Sequence, residues 1–318
     1  MRNASPEELI ERARSGQRGA LARLLSLVER GGEPARAVGR LTFPLAGAAH
    51  TVGITGAPGA GKSTLTSAVV AHMRTLDLRA AVLAIDPSSP FTGGAILGDR
   101  VRMGDHALDE GVFIRSMATR GQLGGLALAT PAAVRVLDAV GFGWVLIETV
   151  DVGQVEVEIA GAADTTVVVV NPGWGDAVQA NKAGLMEIAD IFVINKADRP
   201  GVADTRRDLE QMLELSQLGA WEPPIVATVG HSGEGVDQLW QAVVDHRAHL
   251  ERSGEGAARR ARRADDELRR ILIDAVLERA DRRWEAPAGV QLRAEVAARR
   301  LDPYRAAETL LGEDGAPA

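Results

Sequence analysis

Residues 56–63 read Gly56-Ala57-Pro58-Gly59-Ala60-Gly61-Lys62-Ser63 and decide the fold of this chain. They fit the phosphate-loop pattern G-x-x-x-x-G-K-[ST]. The apolar run Thr51–Thr55 before them is typical of a buried strand, and Thr64–Met73 after them has apolar residues at helical spacing. Strand, glycine-rich turn and helix in this order predict a loop whose backbone N–H groups surround a phosphate at a helix N-terminus.

Two side chains of the loop have separate expected tasks. Lys62 is expected to reach the β- and γ-phosphates, and Ser63 to hold Mg²⁺ through its hydroxyl. The residues predicted to contact the nucleotide here are Gly56, Ala57, Pro58, Gly59, Ala60, Gly61, Lys62, Ser63 and Thr64. A chance glycine-rich turn is the alternative, and the correct flanks on both sides disfavour it.

Composition narrows the class of protein. The chain has 318 residues, of which 46% are apolar, so it can bury a large core. Its net charge of -7 gives no sign of a nucleic-acid partner. The absence of cysteine excludes disulfides and thiolate metal sites and fits a cytoplasmic location. There is no signal-peptide core and no apolar run near the ~20 residues of a membrane span, so we expect no membrane partner.

Residues 46–252 alternate apolar strands with helical segments. Most of these strands are continuous apolar runs, the pattern of strands buried on both faces, so we predict an α/β fold with a mainly parallel central sheet flanked by helices. The predicted strands are Thr51–Thr55, Ala80–Ile85, Val112–Ile114, Trp144–Ile147, Thr165–Val170, Ile191–Ile194 and Ile225–Thr228. In such folds ligands bind beyond the carboxyl ends of the strands.

Helical segments flank this central domain. Ser5-Pro6-Glu7-Glu8 is typical of a helix start, and Ser5–Arg30 is predicted to be helical, with Gly31-Gly32-Glu33-Pro34 as its end. Residues 1–45 as a whole are predicted to form an N-terminal helical extension. Residues 253–318 mix arginine densely with acids around a narrow apolar stripe. The stripe consists of Leu268, Ile271, Leu272, Ala275 and Val276. Such a helix packs back on its own domain or pairs with a second copy, and the pattern leaves both open.

A second motif, Asn195-Lys196-Ala197-Asp198, follows an apolar strand and fits the guanine pattern N-K-x-D. The carboxylate of Asp198 can accept hydrogen bonds from the ring N–H and the amine of guanine, whereas adenine presents the wrong donors. We therefore predict guanine-nucleotide contacts from Asn195, Lys196 and Asp198. Thr228-Val229-Gly230 follows at the end of the predicted strand Ile225–Thr228, where a further base-contacting loop is expected.

Three acids are candidates for holding Mg²⁺ together with Ser63. Glu148 ends the strand that begins at Trp144, and Asp86 follows the strand Ala80–Ile85. Asp99 lies in a glycine-rich segment. Because Mg²⁺ prefers oxygen ligands and keeps several waters, one or two of these carboxylates suffice.

Taken together, these residues resemble the MeaB/ArgK/MMAA family of P-loop GTPases, the G-protein chaperones of adenosylcobalamin-dependent acyl-CoA mutases. The resemblance extends from the N-terminal helices into the C-terminal segment. Besides the two motifs, it rests on 86–89 (Asp-Pro-Ser-Ser), 92–99, 115–125, 148–154, 172–176 and their spacing. It implies binding and hydrolysis of GTP with Mg²⁺, coupled to loading and protecting the cobalamin of a mutase, above all methylmalonyl-CoA mutase. It also implies a homodimer formed through a C-terminal dimerisation arm, residues 253–318.

The chain departs from the family segment Glu-Thr-Val-Gly-Val-Gly-Gln, because it reads Glu148-Thr149-Val150-Asp151-Val152-Gly153-Gln154. The family glycine is expected to approach the γ-phosphate. A carboxylate about 5 Å from that phosphate would be repelled by about 3 kcal/mol at an effective dielectric near 20. We therefore list Asp151 with Lys62 and Glu148 as residues that affect catalysis, and Gln154 as a residue that could orient water.

Other classes remain as alternatives. A hydrolysis-impaired, nucleotide-dependent scaffold follows if Asp151 abolishes turnover. A metal-insertion GTPase would need cysteine or paired histidine ligands, which the sequence does not offer. A protein-targeting GTPase would need a Met-rich region, and a transport kinase would prefer ATP, which the guanine motif disfavours.

Overall fold

The computed structural model describes residues 4–86, 104–106, 108–118, 129–149, 159, 161–173, 187–215 and 219–312. The chain divides into two compact units, Met1–Arg259 and Arg260–Ala318. Within the described residues, no helix has both the length and the apolar character needed to cross a bilayer. The predicted three-part division at residues 45 and 252 stays a prediction.

A parallel sheet forms the centre of the first unit. In the described residues its seven strands lie in the order β3-β2-β4-β1-β5-β6-β7, and every pairing is parallel. The strands are β1 (His50–Gly56), β2 (Ala80–Asp86), β3 (Val112–Ala118), β4 (Trp144–Thr149), β5 (Thr165–Val170), β6 (Ile191–Asn195) and β7 (Ile225–Thr228). This confirms the predicted α/β fold. The central strands β1, β4, β5 and β6 are buried along their whole length, as their continuous apolar runs predict.

Helices cover both faces of this sheet. The helices of the first unit are α1 (Pro6–Arg14), α2 (Arg18–Arg30), α3 (Gly32–Thr42), α4 (Lys62–Thr75), α5 (Ala129–Ala139), α6 (Val202–Leu215) and α7 (Val236–Ser253). Helices α4 and α7 pack on one face, through a cluster that includes Leu65 and Leu239. Helix α5 packs on the other face beneath α1–α3, and α6 packs against β5 and β6.

The N-terminal helices are part of the core of the first unit. Leu24 and Leu25 of α2 have no exposed surface, and burial of such a side chain stabilises the fold by about 1.5–3 kcal/mol. Helix α1 begins with a capping box, in which Ser5 and Glu8 bond each other's backbone N–H groups. Arg115 of β3 forms an ion pair with Glu29 of α2. The extension is therefore fixed to the edge strand of the sheet.

Helix α8 (Glu255–Glu285) begins in the first unit and ends in the second, and α9 (Pro287–Ala297) and α10 (Pro303–Leu311) belong to the second unit. Asp302 caps α10 by accepting hydrogen bonds from the N–H groups of Tyr304 and Arg305. Helix α8 has no buried residue among those described.

Candidate functional site

The phosphate loop connects the end of β1 to the start of α4, and its glycines are required by space and by backbone angle. Gly56 has φ +132°, and a Cβ there would lie 2.0 Å from the carbonyl oxygen of Val169. Gly61 has φ +85°, and a Cβ there would lie 2.6 Å from Nδ2 of Asn195. Side chains rarely adopt such angles. Only glycine fits these two positions without displacing β5 or Asn195.

The N-terminus of α4 faces this loop. Its N-cap residue, Gly61, has no side chain to bond the first amides of the helix. Helix N-termini carry partial positive charge and orphan N–H groups, so they favour a phosphate. Lys62 is 6% exposed, and its ammonium donates to the carbonyl oxygens of Gly56 at 2.9 Å and Ala57 at 3.2 Å. The positive charge therefore lies against the loop that is predicted to hold the phosphates.

Ser63 and Glu148 meet beside the phosphate loop. Glu148 lies in β4 with no exposed surface, and the β1–β4 register pairs it with Ile54, two residues before the loop begins. The hydroxyl of Ser63 donates to Oε1 of Glu148. A hydroxyl and a carboxylate are both oxygen donors of the kind that Mg²⁺ prefers, so this pair fits the ion.

Of the other two predicted metal ligands, Asp86 and Asp99, the structure describes the backbone position of Asp86 alone. Asp86 is the last residue of β2, and the β2–β4 register pairs its neighbour Ile85 with Thr149, so Asp86 stands at the same edge of the sheet as Glu148. Asp99, Asp151 and Gln154 lie outside the described residues, and their predicted roles stay predictions.

Asn195, the last residue of β6, makes side-chain hydrogen bonds to two loops. Its Nδ2 donates to the carbonyl oxygen of Ala60 at 2.8 Å. Its Oδ1 accepts from the hydroxyl of Thr228 at 3.1 Å and from the N–H of Gly230 at 3.0 Å. The side chain is buried, and all of these bonds are internal. Asn195 thus connects the phosphate loop with the loop after β7.

Lys196 and Asp198 differ in what they contact. Lys196 has φ +60°, an uncommon angle for a residue with a side chain, and its ammonium donates to the carbonyl oxygen of Gly59 at 2.6 Å. Asp198 is exposed. The guanine motif therefore has two residues engaged with the phosphate loop and one carboxylate open to solvent, as a base-recognising acid requires.

The loop that follows β7 lies against the guanine motif. The N–H of Ala197 donates to the carbonyl oxygen of Thr228 at 3.0 Å, and a bridge between Val229 and Glu234 closes the turn. Gly235 has φ +73°, and a Cβ there would lie 2.1 Å from the carbonyl oxygen of Ala227. The structure thus brings the predicted Thr228–Gly230 segment to Asn195.

Sequence reasoning missed the contacts that join these motifs. Residues 59–61 and 195–196 are far apart in the chain, and no spacing in the sequence predicts that Lys196 bonds Gly59 or that Asn195 bonds Ala60. It also missed Thr205 of α6, which is buried and accepts a hydrogen bond from the N–H of Gly173 at 3.0 Å. Only the common position of the motifs at strand ends hinted at their proximity.

The parallel sheet, the phosphate loop and the guanine motif at its carboxyl edge define a P-loop GTPase fold. The sequence matches the family described as methylmalonyl Co-A mutase-associated GTPase MeaB over residues 21–285. The chain belongs to this family of GTPases.

Individual relatives agree with the family match. A Pyrococcus abyssi protein named only as an inferred GTPase is 49% identical over 312 residues, 96% of each chain. The GTPase ArgK of Escherichia coli is 36% identical over 283 residues, 86% of each chain. The crystal structure of an LAO/AO transport system kinase is 28% identical, with a TM-score of 0.71 over 98% of each chain.

Proposed function

We propose that this GTPase is a chaperone that couples its nucleotide state to the loading and protection of the cobalamin cofactor of an acyl-CoA mutase, with methylmalonyl-CoA mutase as the first partner to test. The observation that carries the proposal is the family match, because the family is described by its association with that mutase. The relatives' names support the GTPase part and leave the partner open.

In this proposal, Lys62 and the N–H groups at the start of α4 bind the β- and γ-phosphates. Ser63 and Glu148 would hold Mg²⁺, which supplies positive charge to offset the charge that develops on the phosphoryl oxygens during transfer. Asp198 accepts hydrogen bonds from guanine, while Asn195 and Lys196 keep the phosphate loop and the base-binding loop at a fixed separation. A bound γ-phosphate can then order nearby loops, and its loss on hydrolysis signals to the partner.

The mutase part is tested by transferring adenosylcobalamin to cofactor-free methylmalonyl-CoA mutase in the presence of this chain. We expect transfer, or protection of the loaded mutase during turnover, to depend on GTP and to differ with GDP. Equal loading and equal inactivation with GTP, with GDP and without nucleotide would contradict the chaperone role. Testing other adenosylcobalamin-dependent acyl-CoA mutases in parallel identifies the partner.

Asp151 supports a second candidate, the hydrolysis-impaired scaffold. We predict that Asp151→Gly raises GTP turnover, or the preference for GTP over GDP, by about tenfold, since removing a carboxylate near the γ-phosphate removes repulsion of a few kcal/mol that Mg²⁺ partly offsets. Single-turnover hydrolysis and nucleotide affinities measure this. Asp151→Asn is the matched control that removes charge and keeps the side chain. Unchanged turnover and unchanged affinities in Asp151→Gly would show that Asp151 points away from the nucleotide.

A homodimer is the second part of the proposed assembly. Helix α8 carries apolar side chains that are about half exposed or more, and on a helix of 100° per residue Leu268, Ile271 and Leu272 share one side. Large apolar side chains that remain exposed mark an interaction surface. In a two-fold symmetric dimer the same surface of both subunits meets, so we propose that a second copy of α8 covers these side chains.

We predict that Leu272→Asp converts a dimer into a monomer, because the dimer would have to bury an unpaired carboxylate. Sedimentation or light scattering should show the mass fall from twice to once the 33.6 kDa of the chain. Arg270→Asp, on the opposite side of α8, is the matched control and should stay dimeric. A monomeric parent protein, or a dimeric Leu272→Asp variant, would rule out this interface.

A further inference from the structure

Buried charged groups also cluster at the amino ends of the strands, the edge opposite the phosphate loop. Asp164 precedes β5, Asp190 precedes β6, and Arg259 lies in the second turn of α8, within the first unit. The two aspartates are 2% and 5% exposed. We call Asp164, Asp190 and Arg259 the basal clamp. Nothing in the proposed GTPase mechanism uses these residues.

Asp164 joins β5 to β1. Its Oδ2 accepts hydrogen bonds from the backbone N–H of Thr51 at 2.9 Å and from the Thr51 hydroxyl at 3.0 Å. In return, the N–H of Asp164 donates to the Thr51 hydroxyl at 2.8 Å and to the Thr51 carbonyl oxygen at 2.9 Å. The carboxylate thus fixes the separation of these two strands at their amino ends.

Asp190 joins β6 to β5 in the same way. Its Oδ2 accepts from the N–H of Thr166 at 2.7 Å, and its own N–H donates to the Thr166 carbonyl oxygen at 2.9 Å. Two side chains of the helices also face it. His246 of α7 places Nε2 3.2 Å from Oδ1, and Arg259 binds both carboxylate oxygens.

Arg259 connects both aspartates to α8. Its guanidinium donates to Oδ1 of Asp190 at 3.0 Å, to Oδ2 at 3.1 Å and to the carbonyl oxygen of Asp164 at 3.1 Å. Glu255, one turn earlier, accepts from the same guanidinium at 2.8 Å. Bidentate arginine–carboxylate contacts fix geometry as well as charge. The start of α8 is therefore held to the amino ends of β5 and β6.

Asp190 and Arg259 are both charged at neutral pH. Burial raises the pKa of Asp190, but the hydrogen bonds from His246 and Arg259 and the positive charge of Arg259 more than offset burial and hold that pKa below its usual value. Burial lowers the pKa of Arg259, and the contacts with Asp190 and Glu255 outweigh it, so that pKa is raised. Because removal of one partner would leave a buried charge unpaired, the clamp depends on both.

The clamped strands carry the nucleotide site at their other ends. Strand β1 ends at Gly56 of the phosphate loop, and β6 ends at Asn195 of the guanine motif. Strand β5 lies between them, with Gly56 paired to Val169 and Ile194 paired to Val170. All three strands are buried along their whole length, and packed interiors transmit strain because they compress little.

We propose that the basal clamp controls nucleotide affinity from the start of α8. With the Arg259–Asp190 contact formed, the clamp holds β1, β5 and β6 at the separation that guanine-nucleotide binding needs, and loss of this contact weakens binding. Arg259 is then a positioning residue, far from the phosphate loop. The inference rests on the proposed binding of guanine nucleotides. Because such coupling is reciprocal, nucleotide binding must also act on the clamp.

Trp221 reports on the clamp directly. Its indole N–H donates to the carbonyl oxygen of Asp190 at 2.8 Å, and its ring centre lies 4.8 Å from that of His246. Imidazole and carbonyl groups in contact with an indole affect its emission, so a shift of Asp190 should change Trp221 fluorescence. Trp221→Phe identifies that signal among the five tryptophans.

The experiment measures GDP and GTP-analogue affinity by calorimetry in the full chain, in Arg259→Gln and in Arg262→Gln, a matched control whose side chain is exposed. We expect about fivefold weaker binding in Arg259→Gln, within the usual range of coupling, and less than twofold change in the control. Nucleotide should also change Trp221 emission in the parent chain, a readout that does not require the variant to fold.

The outcomes separate the two proposals. Equal guanine-nucleotide affinity in Arg259→Gln and the parent, or a Trp221 signal that does not respond to nucleotide, would overturn the proposed role of the basal clamp and leave the GTPase proposal intact. A parent chain that binds no guanine nucleotide would overturn both. Weaker binding in Arg259→Gln that an additional Asp190→Asn change does not weaken further would support action through the clamp.

Discussion

Lys62→Ala should lower GTP turnover by about 10²- to 10³-fold, the loss seen when one charge-stabilising donor is removed from a preorganised site. Lys62 is a buried charged side chain of the phosphate loop, and its ammonium donates to the carbonyl oxygens of Gly56 and Ala57. A phosphate in the loop would attract this ammonium more strongly than two neutral carbonyls do. Without it, the γ-phosphate loses the contact that offsets its charge.

Steady-state and single-turnover hydrolysis would measure this loss. The nucleotide-free variant should keep its fold, because the carbonyl oxygens of Gly56 and Ala57, which accept hydrogen bonds from the Lys62 ammonium, belong to the adjacent loop. Lys62→Arg is the informative companion. It keeps the positive charge, yet its planar fork does not match the compact ammonium, so most of the loss should persist. Turnover within threefold of the parent in Lys62→Ala would mean that residues 56–63 are not the catalytic phosphate site.

Asp198→Asn should weaken GDP binding on the order of 10³-fold and create binding of xanthosine diphosphate. The carboxylate is expected to accept two hydrogen bonds from guanine, and each charge-assisted bond contributes about 1.5–3 kcal/mol. Asparagine keeps an acceptor for the ring N–H and replaces the other oxygen with a donor. Xanthine presents a carbonyl where guanine has its amine, so the new pair matches again.

Calorimetry with both diphosphates tests this prediction, and the gain of xanthine binding serves as its own control for folding. Because Asp198 is exposed, the substitution removes no buried side chain from the described part of the protein. Asp204→Asn, also exposed and located on α6, is the matched surface control. Undiminished GDP binding in Asp198→Asn would show that the base is recognised elsewhere.

The sheet could be predicted from sequence because its central strands are buried on both faces and therefore read as continuous apolar runs, as in Thr165–Val170. Helix α3 could not be predicted as a separate helix. Gly31-Gly32-Glu33-Pro34 reads as the end of the N-terminal helices, but Gly31 at φ +72° only turns the chain, and Pro34 is the third residue of the new helix, where its missing N–H is not needed. A local cluster of glycine and proline does not distinguish the end of the last helix from a tight turn between two helices.

The site divides in the same way. The phosphate loop and the guanine motif are fixed spacings of residues whose chemistry is local, so each could be found in the sequence alone. The contacts between them, and the basal clamp, join residues far apart in the chain. His246 illustrates this limit, because no spacing in the sequence pairs it with Asp190, and the structure places it beside that carboxylate with no exposed surface.

The measurement that tests the account most directly is calorimetric titration of the parent chain, in the presence of Mg²⁺, with GDP, a non-hydrolysable GTP analogue and an ATP analogue. We predict binding of both guanine nucleotides and none of the adenine nucleotide, with the ratio of GDP to GTP-analogue affinity reflecting Asp151. Binding of the ATP analogue as tight as that of GDP, or no binding of any guanine nucleotide, would contradict the central claim that this family member is a guanine-specific GTPase.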